Sequence, residues 1–260
     1  ASTVGGNLAA TATTGNMTDS GALTIAGTSS FTTSANNATI ALNTTTNAFT
    51  GAVTITTNDD SGTDADVTID GGTTALVLAA STIDGDLTVR SGNASGITDS
   101  GTVTVGGNLA ATTDANNGAI NLGTLAVDGT VALATNGSGN ATVVNDAGLN
   151  FAASTVGGAL TATATTGNMT DSGALTITGT TTLTTSANDA TIALDTTTNA
   201  FTGAVTITTN DSSGTDADVM IDGGTTALIL AASTIDGDLT LTSGNASGIT
   251  DSGTLTVGGN

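Results

Sequence analysis

The stretch ALTIAGTSSFTTSANNATIAL, residues 22–42, decides the fold. It reads as three short strands, Leu23–Ile25, Ser30–Thr33 and Ala38–Leu42, in which apolar and polar residues alternate. A period of two puts the aliphatic side chains on one face and Thr on the other. Gly27 and the SANN cluster at 34–37 separate the strands, and these are turn-forming residues. No segment keeps the i, i+3, i+4, i+7 spacing of a helix over three turns.

The pattern recurs. An apolar-x-apolar-x-Gly signature ends at Gly27, Gly51, Gly85, Gly107 and Gly129, then at Gly158, Gly179, Gly203, Gly237 and Gly259. Measured from Gly6, successive spacings are 21, 24, 34, 22, 22 and 29 residues, after which the series restarts. The long period is 152 residues, and residues 1–108 laid over 153–260 differ at 14 positions. The two long intervals contain ALVLAASTIDG (75–85) and LNFAASTVGG (149–158), which read as a longer first strand carrying an LAAS or FAAS insert. Three strands per repeat of about 25 residues, without helices, predict an all-β parallel β-helix with about six coils per long unit. Residues 1–152 then form the first unit and 153–260 a second, truncated one, in one continuous solenoid. A string of β-sandwich domains is the alternative, but such domains carry longer strands and an aromatic core anchor.

Composition agrees. The 62 Thr suit exposed strand positions, where β-branching favours extended backbone. The absence of Pro fits a chain in which nearly every backbone N–H has a ladder partner. Phe31, Phe49, Phe151 and Phe201 are the expected plugs of a narrow core, and Asn at turns is expected to stack in amide ladders. A net charge of −21 with 2% aromatics points toward disorder, but a mean hydropathy of +0.23 and the alternation point to a folded chain. There is no Cys and no His, so thiolate chemistry, disulfides and the usual general base are excluded. Arg90 is the one basic residue, which excludes a nucleic-acid binder. No apolar run approaches the ~18 residues of a membrane span, and no leader segment is visible.

Units such as GNMTDSGALTI, NAFTGAVTIT, ALVLAASTIDGDLTV and GNASGITDSGTVTVGGN resemble the repeats of very large secreted bacterial surface proteins. These are the filamentous-haemagglutinin-like and autotransporter-like adhesins. The resemblance covers essentially the whole chain and implies a right-handed parallel β-helix at the bacterial cell surface. It implies a non-catalytic segment of an extracellular fibre or stalk, or of a matrix filament. The expected partners are neighbouring repeats of the same chain or end-to-end copies. A glycan or surface ligand would be met elsewhere in a longer protein.

Candidate chemistry rests on Asp alone, since all 22 acids are Asp. In NDDSGTDADVTID (58–70), Val67 and Ile69 are expected to face inward, which places Asp64, Asp66 and Asp70 outward together. Asp59, turn carbonyls and Thr hydroxyls complete a hard-oxygen set suited to Ca²⁺. Asp216, Asp218 and Asp222 repeat it in the second unit. The set competes with a solvated acidic loop, and no cofactor is required. A glycan-cleaving reading would use Asp84 with Asp86 or Asp64 with Asp66, copied as Asp236 with Asp238 and Asp216 with Asp218. No aromatic platform accompanies them, so no enzyme is expected. Thr-x-Thr rows raise ice binding, against which the uneven spacings stand. Arg90 is replaced by Thr242 in the second unit, as expected of incidental surface charge, and Asn16, Asn43 and Asn140 mark exposed turns.

Overall fold

The computed structural model describes residues 1–58, 65–210 and 216–260. Among them there is no helix; parallel strands stack into a β-solenoid of about 11 turns. The chain forms two compact units, Ala1–Val131 and Ala132–Asn260.

The first unit holds three parallel ladders, the first of them ending at Phe49. One joins Ser2–Val4, Leu23–Ile25 and Ala48–Phe49. The second begins with Leu8–Ala12, Ser29–Thr33 and Val53–Thr56. The third joins Met17–Thr18, Ile40–Leu42, Val67–Asp70, Leu87–Ser91 and Leu109–Asn116. The three strands expected in 22–42 are therefore present, each in a different ladder. In the second unit Ser154–Val156, Leu160–Ala164 and Met169–Asp171 open the same three-strand order.

The 75–85 stretch departs from the expectation of one long strand. It forms two strands, Leu76–Leu78 and Ser81–Ile83, both paired to Val53–Thr56 through Leu78 to Val53 and Thr82 to Thr56. The cause is Ser81. Its buried hydroxyl donates to Ala79 O at 2.8 Å and accepts the Ile55 N–H at 3.0 Å, replacing a backbone carbonyl in the ladder. The extra residues bulge between the two strands, and Ala79 and Ala80 are small enough to fit there. Ser233 repeats both bonds in the second unit, to Ala231 O and from Ile207 N.

This bulge also explains the 34-residue spacing. Ahead of Gly27 and Gly51, the signature strand lies in the first ladder. Ahead of Gly85 and Gly107 it lies in the second, as Ser81–Ile83 and Val103–Val105. The glycine corner has moved one ladder along, so the long interval is not one oversized turn.

Inward residues make the core. Ile25, Val53, Ile55, Ile69, Leu76, Leu78, Leu87 and Val89 have no exposed surface. Each such side chain stabilises by about 1.5–3 kcal/mol relative to exposure. All four Phe are buried, and Phe31 meets Phe49 edge to face with centroids 5.9 Å apart. Two buried hydroxyls, Ser29 and its counterpart Thr181, have no hydrogen-bond partner. Such an orphan group costs stability. Replacing Thr181 by Val, which has nearly the same shape, is expected to raise stability by about 1 kcal/mol, as measured by urea unfolding.

Candidate functional site

The acidic side chains lie mainly at corners between ladders, and several of them accept a backbone N–H there. Asp66 accepts the Asp86 N–H at 2.8 Å. Asp86 accepts the Asn108 N–H at 2.7 Å, and Asn108 accepts the Thr130 N–H at 2.9 Å. Each oxygen thus caps the N–H of the residue one turn further on. Asp218 and Asp238 do the same, to Asp238 N and Asn260 N, both at 2.7 Å. The glycine before each capped residue makes room: a Cβ on Gly85 would fall on the Asp66 carboxylate. One stacked amide pair of the expected kind is present, Asn58 Nδ2 donating to Asn36 Oδ1 one turn earlier at 3.2 Å, and other Asn take the capping role. Asn7 Oδ1 accepts Thr28 N at 3.0 Å, and Asn16 Oδ1 accepts Thr39 N at 3.0 Å.

A second corner is built on a buried amide. Asn47, 1% exposed, accepts the Leu23 N–H at 2.8 Å and donates to the Asp19 carboxylate at 2.7 Å and to Leu42 O at 3.2 Å. Asn199 repeats all three contacts, with Leu175, Asp171 and Leu194. The reading from sequence missed this bracket. Its signal was available as an Asn at the same place in both NAFTG motifs, preceded by an Asp one turn earlier. Asn47→Asp removes two donors and sets a carboxylate against Asp19. The expected cost is about 2–4 kcal/mol, measured by chemical denaturation, and Asn199→Asp should fall in the same direction.

The proposed cation ligands are distributed as follows. Asp59 and Asp64 lie outside the described residues. Asp66 is exposed at its corner, bonded as above. Asp70 does not face outward with it. It ends its strand 6% exposed, and its Oδ1 accepts the Gly72 N–H at 2.7 Å. Strand alternation ends at Asp70 because the chain turns there, and Gly72 has φ 57°. Asp222 makes the same bond to Gly224 N at 2.7 Å, Asp216 is exposed, and Asp218 caps Asp238. Among the described residues, no group of three or more Asp side chains is placed to hold a metal ion.

Of the paired carboxylates, Asp84 donates its own N–H to the Thr57 hydroxyl at 2.9 Å, and Asp236 does so to Thr209 at 2.9 Å. Asp86 and Asp238 are the capping residues described above. Asp218 and Asp238 also line a shallow depression with Met220 and Thr240. Arg90 donates to both oxygens of Asp114, at 3.1 and 3.2 Å. Both side chains are about half exposed, so the pair contributes little, about 0–1 kcal/mol. Asn16, Asn43 and Asn140 are exposed and lie outside strands.

Burial pushes the Asp70 carboxyl above the usual carboxylate range. The Gly72 N–H and Arg90 oppose the shift, while Asp114 and Asp19 add to it. A raised folded-state pKa means the charged form destabilises the fold at neutral pH. That penalty disappears as pH falls through the raised value. Asp70→Asn keeps an acceptor for Gly72 and removes the charge. Its melting temperature at pH 7 should match or exceed that of the unaltered chain, and the difference should shrink in mild acid.

Neither a curated protein nor a solved structure matches the chain. One family model does, at residues 1–56, 64–133, 138–208 and 216–260. Its gaps at 57–63 and 209–215 fall at equivalent places in the two repeats. With most of its length matched, and every matched segment built from stacked parallel strands, the chain belongs to the family described as repeats of unknown function (DUF5649).

Proposed function

We propose that this chain is a non-catalytic structural segment of an extracellular fibre or stalk, of the kind carried by bacterial adhesins or matrix filaments. One observation carries the reading. The capping bonds recur from turn to turn, and both the caps and the Asn47 bracket recur 152 residues on, with 14 substitutions in 108 aligned positions. Repetition of this kind lengthens a rod while each turn contacts only its neighbours. In this reading the Asp residues have two roles. They cap backbone N–H groups, and their net charge of −21 keeps rods soluble and apart. Divalent cations such as Ca²⁺ would act by screening that charge. The partners are neighbouring repeats of the same chain, or copies stacked end to end.

The test is the size and location of the native protein. An antibody raised to the 152-residue unit is used to blot fractionated source cells on a gel that resolves very large chains. The expected result is a cell-surface or matrix band far above 24.5 kDa. A discrete soluble band at 24.5 kDa would overturn the reading.

A further inference from the structure

The outward face of the second ladder differs from the rest of the surface. In the second unit Thr161, Thr182 and Thr206 stand in register in three successive turns. Thr163, Thr184 and Thr208 form a parallel column two residues along. Thr234 and Thr256 continue that second column. In the first unit Thr11, Thr32, Thr56, Thr82 and Thr104 make the matching column. All of these Thr side chains are exposed or half-buried. The strands that carry the paired columns, Leu160–Ala164, Thr181–Thr185 and Val205–Thr208, hold none of the 22 Asp.

The uneven glycine spacings suggested that no such array could stay regular. The ladder keeps its register because the irregular lengths are taken up at corners and in the Ser81 and Ser233 bulges. The Thr residues therefore form a grid, about 4.8 Å along the ladder and about 6.6 Å along the strand. Strand propensity alone does not require Thr at each of these positions, because Val, Ile and Tyr share it.

We propose that this face binds ice. Each Thr offers a methyl that restricts neighbouring water and a hydroxyl that hydrogen-bonds it. Repeated on a regular grid, these groups hold a layer of water that a growing crystal can incorporate. Carboxylates would impose their own hydration and break the layer, and the strands that carry the paired columns have none. This activity is separate from the structural role and does not rest on it.

The experiment uses the 260-residue chain. Its retention in a slowly growing ice hemisphere and its thermal hysteresis are measured beside serum albumin. The double variant Thr184→Asp, Thr208→Asp alters the face. Thr176→Asp, exposed on the first type of ladder, is the control. Circular dichroism establishes that each variant is folded. The expected result is retention and hysteresis in the unaltered chain and in the control, lost in the double variant. No more retention than albumin overturns the proposal, and this result needs no variant. So does equal loss in the control, or persistence in the folded double variant. Pairing of the chain in solution that depends on Thr184 and Thr208, without ice activity, overturns it in favour of a face that binds a second copy.

Discussion

The structure depends on the hydrogen bonds that each turn makes to the turn before and the turn after. The strands of successive turns pair in parallel, so the backbone N–H and C=O groups of one turn are satisfied mainly by other turns. Turns must then approach to strand spacing at the corners as well as along the ladders. Gly51 illustrates the demand, since a Cβ there would come within 2.5 Å of Gly27 O. Where the chain turns and ladder bonds lapse, side chains replace them: Asp66, Asp86 and Asn108 at one corner, Asn47 at another, Ser81 within a ladder.

Much of this was legible in the sequence. Leu23–Ile25 is a strand with the expected bounds, because alternation of period two reports directly which face is buried. The parallel solenoid followed from repeat length and the lack of helical periodicity. What was not legible lies at the corners. Alternation ceases to apply once the backbone bends, so Asp70 was assigned to the wrong face. The AAS element is not separable from a strand by alternation, because Ala and Ser are neutral to the pattern. Only the contacts of the Ser81 hydroxyl identify it as a bulge. The capping role of Asp and Asn was hidden for a related reason. It links residues about one turn apart, a distance at which no local pattern reports.

The two readings of the surface separate along the same line. Carboxylates gather at corners, where the repeated bonds hold them, and they carry the structural reading. The strand faces between the corners carry Thr. The chain therefore presents two kinds of area, charged corners and uncharged Thr columns on the strand faces.

The capping bond has a further consequence, in the choice of acid. The chain has 22 Asp and no Glu. An acid that must reach the N–H of the adjacent turn, across a glycine with no side chain in the way, needs a short, stiff arm. Asp and Asn have one methylene and fit the gap between turns. Glu and Gln are longer by another and would have to fold back, giving up rotamer freedom for the same bond. The spacing between turns therefore acts as a ruler on side-chain length. Selection against Glu at the corners need owe nothing to charge, since Asn serves at the same positions as Asp.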